Sequence, residues 1–513
     1  MSAAAERDLH EQEYSGDHFP ERILVRAARA LQWPEVPAEA RKAVHDLFLD
    51  WIGSAVAGSE SKQAGALRKV VESGLVGGGA SGLVEGAGQV EDRGPALQLA
   101  GLVGGFTQLP VLGAALVNGA AGHVVEMDDL HNASIYHPAA CVFPAALAVA
   151  EARRLSGARL LEASIAGYEV SLRVGEALGP EHYVYFHTTG TAGTIGACVA
   201  ASRLLDLDEE QSLWALGNAA SQAAGLWQFL GDGAMTKQLH TAKAAFNGLL
   251  AALLAAEGFT GPQEGLMGRR ALIPATTAAG ASVMGAGQGE EETVAQRVRL
   301  LQGISTDGGS ARFTLFKTPE VSLKFHASCR HTHPAVDALL ELRNGDPGLN
   351  PEEVKSIRAY VYSVAYDRLH GVSPSSPWAA KFNLPFCLAQ AALRGSLGLD
   401  AFNDEALADP EVRALMEKVE MVVDPDLDTA YPRQWAARVE VETRGGQRLA
   451  AKVQAPKGDP ENPLTDEELT RKFLDLAQLR LSADVSRELL ARIRGLPELS
   501  DTTHLFAGLQ EGS

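Results

Sequence analysis

The chain has 513 residues, of which 46% are hydrophobic and 21% are charged. This length is sufficient for one large globular domain and a second, smaller one. Because 64 acidic side chains outnumber 45 basic ones, the formal net charge is −19. Such a charge repels nucleic acids and anionic membranes, so we expect neither as a partner. Any anionic substrate must therefore be held by cations that are clustered locally.

The cysteines and the N-terminus indicate a cellular setting. The four cysteines form no CxxC pair, which argues against a zinc knuckle and against a disulfide framework. They are Cys141, Cys198, Cys329 and Cys387. Residues 1–22 are polar and lack the apolar core of a secretory signal, so we predict a loose tail there. A reducing, cytoplasmic location is expected.

Helical periodicity dominates the chain from about residue 20 to residue 260. In residues 37–58, apolar side chains recur at spacings of three and four, with Pro37 suited to the start of a helix and Gly58 to its end. Later helical segments are rich in Ala and Gly, which permits close approach between helix backbones. The apolar segment 244–259 is shorter than the roughly 20 residues that a bilayer requires, so we predict a buried helix.

A glycine-rich stretch, "GGGASG" at residues 77–82, matches the GxGxxG pattern of dinucleotide-binding loops by letter only. Such a loop follows a strand and opens a helix, whereas a helical segment precedes this one and more glycine follows it. We therefore predict a flexible connection.

The pattern changes near residue 316. Alternating apolar and polar residues predict strands in 356–366 and in 436–455, where Gly445-Gly446 indicates a hairpin turn. Helical stretches lie between them, so residues 316–460 are predicted to form a smaller α/β domain. Helical periodicity then returns, with Thr465 and Glu468 placed as a capping box.

Several polar side chains stand out against this apolar background. Asp128, Asp129, His131 and His137 cluster beside an alanine-rich segment, which suggests the wall of a pocket. An imidazole, whose unperturbed pKa is roughly 6.5, transfers protons in either direction near neutrality. A single histidine is nevertheless more often a packed core residue, and an Asp pair often caps a helix.

Three basic residues are candidates for holding an anionic substrate. Lys237 lies in "GDGAMTKQLHTAKAA", and Lys324 and Arg330 lie in "SLKFHASCRHTHPAVDA". Arg binds a carboxylate in bidentate fashion, and Lys supplies a point charge in a confined site. Structural salt bridges are the alternative interpretation of all three.

From about residue 40 to residue 475 the chain resembles the MmgE/PrpD family of 2-methylcitrate dehydratases and cis-aconitate decarboxylases, and five ordered blocks carry the resemblance. They are "NGAAGHVVEMDDLH…HP", "HTTGTAGTIGA", "GDGAMTKQLHTAKAAFNGLLAALLAAEGFTGP", "LKFHASCRHTHPAVDA" and "AKFNLPFC". The resemblance implies a mainly α fold, with a large all-helical domain and an inserted α/β lid. It also implies a homodimer, a small polycarboxylate substrate, no cofactor, and a site between domain and lid. With the periodicity, it assigns residues 20–315 and 461–505 to the helical domain and 316–460 to the lid.

The resemblance also implies roles for individual residues. The predicted catalytic residues are His137, His187, Asp128 and Asp129, with His137 as the main proton donor or acceptor. The predicted substrate-binding residues are Lys237, Lys324, Arg330, Cys329 and Glu126. Cys329 stands where cis-aconitate decarboxylases have a histidine, and Leu130 stands where they have a threonine, which favours a dehydratase. Glu126 replaces an aspartate common in the family.

The predicted function is therefore that of a cofactor-independent lyase, a dehydratase that eliminates water from a hydroxy di- or tricarboxylate such as 2-methylcitrate. Isomerase or epimerase action, or decarboxylation of a related acid such as cis-aconitate, is the alternative. More remote alternatives are a metal-dependent lyase or hydrolase, based on the Asp128 to His131 spacing, and an inactive scaffold. We expect no bound metal. Residues near 74–110 and 279–312 have no obvious counterpart in the family.

Overall fold

A computed structural model describes residues 19–75, 99–104, 107–277, 289–345 and 349–509. Residues 1–18 of the predicted N-terminal tail and the flexible connection predicted at 77–82 lie outside the described residues. Residues 20–22, which were also predicted to belong to the tail, instead begin a helix.

Helices account for most of the described chain, so the prediction of a mainly α protein is confirmed. They are α1 (Pro20–Ala30), α2 (Ala38–Gly58), α3 (Lys62–Val70), α4 (Val111–Val124), α5 (Ala139–Ala152), α6 (Gly157–Tyr185), α7 (Thr188–Leu204), α8 (Glu209–Gln222), α9 (Phe229–Asp232), α10 (Thr236–Ala256), α11 (Leu272–Thr276), α12 (Gly289–Leu301), α13 (His333–Asn344), α14 (Ser363–Leu369), α15 (Pro377–Ala380), α16 (Leu384–Arg394), α17 (Asp404–Ala408), α18 (Pro410–Met416), α19 (Pro425–Ala430), α20 (Asp466–Ala477) and α21 (Ala483–Arg494).

The described strands are short. They are β1 (Leu99–Gly101), β2 (Gln108–Pro110), β3 (Leu130–His131), β4 (Ile304–Asp307), β5 (Ser310–Phe313), β6 (Val321–Ser322), β7 (Val354–Val361), β8 (Val419–Val423), β9 (Ala437–Thr443) and β10 (Arg448–Val453).

The chain divides into two compact units. The first unit comprises the described residues within Met1–Val124, Asp128–Val321 and Leu469–Ser513, and the second comprises those within Val125–Met127 and Ser322–Glu468. The predicted boundaries lay at residues 316 and 461, so they fall a few residues before the points at which the chain changes unit.

Small residues set the helix spacing in the first unit, as the composition predicted. A Cβ at Gly248 of α10 would lie 2.5 Å from the carbonyl oxygen of Thr194 in α7. Similarly, a Cβ at Gly196 of α7 would lie 2.7 Å from Oγ of Ser171 in α6. Because real Cβ atoms do not approach so closely, these helices can pack at this distance only with glycine at both positions.

Helix α10 is longer than the apolar segment that the sequence indicated. It has 21 residues, and among the described helices it alone is long and apolar enough to cross a membrane. Its most apolar stretch is 61% buried inside the protein, as is usual for a core helix.

The first unit was predicted to be all-helical, and in this respect the prediction needs correction. Strands β1 and β2 pair antiparallel, and β4 and β5 form a hairpin. The turn of this hairpin contains Gly308 and Gly309, which both have positive φ. Glycine adopts such angles without steric cost, so "DGG" before an alternating run was a hairpin signal that the helical interpretation missed.

The second unit contains a four-stranded sheet in the order β10-β9-β7-β8. Strands β7 and β8 are parallel, and the other neighbours are antiparallel. The hairpin predicted at Gly445-Gly446 joins β9 and β10, with Gly446 at a φ of 82°. The strand predicted over 356–366 ends at Val361, because the chain continues as helix α14 from Ser363.

The capping box predicted before α20 is confirmed. The backbone N–H of Glu468 donates to Oγ1 of Thr465, and the N–H of Thr465 donates to the Glu468 carboxylate. Both bonds satisfy amide groups that a helix end leaves without partners.

Candidate active site

The loop between α4 and α5 brings its polar residues together by folding back on itself. The N–H of His131 donates to the carbonyl of Tyr136 over 2.8 Å, and the reverse bond is 3.4 Å. Ile135 closes this turn with a φ of 49°. His137 therefore returns to the start of the loop, beside Asp128 and Asp129.

Asp128 lies between two imidazoles of the first unit. Its Oδ2 is 2.6 Å from Nδ1 of His123 and 3.5 Å from Nδ1 of His137. Both His123 and Asp128 are completely buried. A carboxylate in this position orients an imidazole and stabilises its protonated form. His123 lies at the end of α4 and was not among the predicted site residues.

The tautomer of His137 follows from its surroundings. Nδ1 of His137 lies 2.5 Å from the backbone carbonyl oxygen of Asp129. Since a carbonyl oxygen only accepts hydrogen bonds, Nδ1 carries the proton, and the lone pair of the neutral ring is on Nε2. The same argument applies to His123, whose Nδ1 faces a carboxylate. Both rings therefore offer Nε2 as a base or as a ligand.

Asp129 supports this arrangement. Its carboxylate accepts the N–H of Ala139, the first residue of α5, over 3.0 Å, and the hydroxyl of Tyr168 over 2.9 Å. Burial, followed by repulsion from Asp128, raises its pKa well above the usual value. The sequence left two roles open for the Asp pair, one in the catalytic site and one as a helix cap. Asp128 contacts the imidazoles, whereas Asp129 contacts the start of a helix.

A second histidine pair lies next to this cluster. His187 immediately precedes α7, and its Nδ1 is 3.2 Å from Nδ1 of His240 in α10. The His187 ring centroid is 6.4 Å from that of His137 and 4.6 Å from that of Trp227. Thr189, in the first turn of α7, accepts the backbone N–H of His137 over 3.3 Å.

Burial keeps this second pair neutral. It lowers the pKa of His187 well below its usual value, with further contributions from His240 and Lys237. It also lowers the pKa of His240 to about 4, with Lys243 as the next cause. Lys237, itself buried near the start of α10, therefore lies close enough to influence both rings.

The remaining predicted residues belong to the second unit, where Lys324 and Glu126 form a buried ion pair. Nζ of Lys324 donates to the Glu126 carboxylate over 2.9 Å and to the Glu126 backbone carbonyl over 3.0 Å. Glu126 has a φ of 59°, which a residue with a side chain rarely adopts. Lys381 donates to the carbonyl of the preceding residue, Val125, over 2.6 Å. Two lysines thus hold this short segment in place.

Arg330 is also paired within the second unit. Its guanidinium donates to the carboxylate of Asp459, which also accepts the hydroxyl of Ser322. A second guanidinium nitrogen lies 3.2 Å from Nδ1 of His333. Cys329 is partly exposed, and its backbone N–H donates to the carbonyl of Lys381 over 2.9 Å.

The structure therefore groups the predicted residues in two sets. Asp128, Asp129, His137, His187 and Lys237 are in the first unit, and Glu126, Lys324, Cys329 and Arg330 are in the second. Sequence reasoning missed His240 and Tyr168. For His240 a signal was available, because it follows Lys237 by three residues and so shares a helix face with it.

The metal alternative based on Asp128 and His131 finds no support in the geometry. Asp128 is directed at His123, whereas His131 bonds Ser134 over 2.8 Å and Glu320 over 3.4 Å. A different group of side chains has metal-like spacing. One ring nitrogen from each of His123, His137 and His187 lies within 4.8 Å of the others.

Comparisons with known proteins agree with the motif blocks. The model of the MmgE/PrpD N-terminal domain matches residues 22–282, and that of the MmgE/PrpD C-terminal domain matches residues 326–494. A cis-aconitate decarboxylase-like protein of Aspergillus oryzae is 27% identical over 77% of this chain and 81% of its own length. The cis-aconitate decarboxylase of Aspergillus terreus is 25% identical over 79% of this chain and 82% of its own length. The human cis-aconitate decarboxylase is 26% identical, with corresponding shares of 78% and 79%.

Proposed function

Because this chain belongs to the MmgE/PrpD family, we propose that it is a cofactor-independent lyase that acts on a small polycarboxylate. Among lyase reactions we place first the decarboxylation of an unsaturated tricarboxylate such as cis-aconitate. The names of the similar proteins support this reaction more than the dehydration that the sequence motifs favoured.

The observation that carries the proposal is the buried group of His137, Asp128 and His123. Loss of CO2 from a carboxylate leaves an electron pair on carbon, and that carbon must then take up a proton. A protonated His137 would deliver the proton from Nε2, because Nδ1 is directed at the Asp129 carbonyl. Asp128, 3.5 Å from this ring, would stabilise its protonated form. Exclusion of bulk water from the buried cluster strengthens both effects.

Cations are the second requirement, since the substrate is an anion and the reaction develops further negative charge. Lys237 is the candidate in the first unit, and its influence on His187 supports a position near the reacting groups. Lys324 and Arg330, both in the second unit, are still predicted to bind a carboxylate of the substrate. Their pairing with Glu126 and Asp459 means that a substrate carboxylate would have to share or replace an existing partner.

Dehydration of a hydroxy tricarboxylate such as 2-methylcitrate is the second candidate, and Cys329 favours it. This thiol occupies a position at which the resemblance leads us to expect a histidine in decarboxylases. Elimination of water needs a base for the proton on carbon and an acid for the departing hydroxide. The neutral His187 ring, beside His137, would supply one of these groups.

Product analysis distinguishes the two reactions. The purified protein would be incubated separately with cis-aconitate and with 2-methylcitrate, and CO2 release and formation of unsaturated acids would be measured. Decarboxylation predicts CO2 from cis-aconitate, with one solvent deuterium in the product made in D2O. Dehydration predicts an unsaturated acid from 2-methylcitrate without CO2. Deuterium exchange into a diacid without net elimination would instead support an isomerase or epimerase.

The role of His137 is tested on whichever substrate is turned over. We expect His137→Gln to lower kcat by roughly 10²–10⁴-fold, as for removal of a general acid or base. His45→Gln is a matched control, because His45 is a histidine of the same unit that hydrogen-bonds the carbonyl of Ile493 and was not assigned to the site. Both variants should keep the circular dichroism of the parent protein. Full activity in His137→Gln would contradict the mechanism.

A further inference from the structure

The three imidazoles of His123, His137 and His187 have the spacing of an incomplete metal site. One nitrogen from each ring lies within 4.8 Å of the others, and all three residues are buried. Zinc binds histidine nitrogens at about 2.0–2.1 Å, which places the nitrogens of a tetrahedral site roughly 3.4 Å apart. Side-chain movements of about 1 Å would therefore bring one nitrogen of each ring to ligating distance from a common metal ion.

Two of the three rings have the hydrogen-bonding partner that is usual for a metal-binding histidine. Ligating histidines usually donate from their other nitrogen to a carboxylate or a backbone carbonyl. His123 does so to Asp128 over 2.6 Å, and His137 does so to the carbonyl of Asp129 over 2.5 Å. His187 can donate from Nδ1 to Nδ1 of His240, which lies 3.2 Å away.

His123 provides an independent indication of a missing ligand. Its Nε2 is buried and has no hydrogen-bond partner among the described residues. A buried nitrogen without a partner is unfavourable, and a bound ion is one of the arrangements that would satisfy it. The proton-transfer role proposed for His137 does not explain why Nε2 of His123 has no partner.

We propose that His123, His137 and His187 bind one Zn2+ ion or a similar divalent transition metal, with an open fourth position. Asp128 contributes a negative charge next to two of the ligands, His123 and His137, whereas the ammonium group of Lys237 opposes the dication. Three imidazoles suit zinc, copper and nickel rather than magnesium or calcium.

A second group, His131, Glu176 and Glu320, has similar spacing but is less suitable. The ammonium group of Lys317 lies 2.8 Å from Glu176 and 3.9 Å from Glu320. This lysine already balances the acidic charge that a metal ion would need.

Metal binding would have a functional consequence, which rests on the proposed function. A metal ion on Nε2 of His137 would occupy the lone pair used in proton transfer. Zinc is therefore expected to inhibit the lyase reaction, in proportion to the occupancy of the site.

Binding is tested without reference to activity. The full chain, freed of metal by a chelator, would be titrated with ZnCl2 by isothermal titration calorimetry. Co2+ absorption would report the coordination. We expect one Zn2+ per chain, no detectable binding at this site in His123→Gln, and a Kd increased roughly 10–100-fold in Asp128→Asn, which removes a charge beside a ligand. His131→Gln is the matched control and should bind zinc as the parent does.

The outcomes separate the two proposals. Unchanged zinc binding in both His123→Gln and Asp128→Asn would overturn the site, as would loss of binding in His131→Gln. If His123→Gln does not fold, as judged by circular dichroism, the milder Asp128→Asn still decides. Zinc binding in a protein without lyase activity would leave the metal site intact and refute the proposed function. Activation by zinc would overturn the inhibitory role.

Discussion

The ion pair between Lys324 and Glu126 should be a major determinant of stability as well as a candidate for substrate binding. Side-chain exposure is 0% for Lys324 and 1% for Glu126, and the charged atoms are 2.9 Å apart. Removal of one partner from such a pair leaves a buried charge uncompensated, which costs about 3–5 kcal/mol. Lys324→Met should therefore lower the free energy of unfolding by this amount, and the melting temperature by about 6–20 °C for a unit of this size.

A double-mutant cycle measures the coupling. Lys324→Met and Glu126→Gln should each destabilise strongly, whereas the double variant should be much more stable than the sum of the two effects predicts. The matched control is Lys355–Glu442 in the same unit, with a similar distance of 2.7 Å but side-chain exposures of 60% and 31%. Lys355→Met should cost less than about 1 kcal/mol, because water screens an exposed pair.

Calorimetric or chemical unfolding of the four proteins of the cycle and of Lys355→Met provides the test. If Lys324→Met lost no more stability than Lys355→Met, burial would not control the energy of this pair. Additive effects of the two single substitutions would likewise refute the reasoning. If Lys324→Met remained folded at the assay temperature, a separate effect on KM would then report its contribution to substrate binding.

Two further predictions concern the packing and the titration of the first unit. Burial raises the pKa of Glu151 to about 7, so the folded state holds its proton more tightly than the unfolded state does. Stability from this group is complete below the unfolded pKa and is lost as the pH rises through 7. Between pH 5.5 and pH 8 the parent protein should lose about 2 kcal/mol of its free energy of unfolding. Urea unfolding of Glu151→Gln should not show this pH-dependent loss. An equal loss in the parent and in Glu151→Gln would contradict the assignment. Gly248→Ala should destabilise the protein by roughly 1–3 kcal/mol, because the added methyl group would overpack against α7. Gly258→Ala is the control: its added Cβ would have no atom nearby, and the positive φ alone should cost only about 1 kcal/mol. Thermal melts in which Gly258→Ala is the less stable variant would refute the packing argument.

Local signals in the sequence were sufficient for much of the secondary structure and for the family. Residues 37–58 showed helical periodicity, and Ala38–Gly58 form α2; Thr465 forms the predicted capping box. Both features depend on residues within one or two turns of each other, so a single segment contains the information. The family was likewise evident, because its five blocks are contiguous stretches, and both domain models confirm it.

Other features were decided by contacts between distant segments. The sequence by itself made Asp128, His137, Lys324 and Arg330 candidates, because of their residue types and their motifs. Only the tertiary structure decided that Asp128 faces His123, and that Arg330 is paired with Asp459, 129 positions further along the chain. Periodicity and spacing describe a single element, whereas burial and pairing depend on which elements pack together. For this reason the partners of each group, and the tautomer of His137, became evident only in the folded chain.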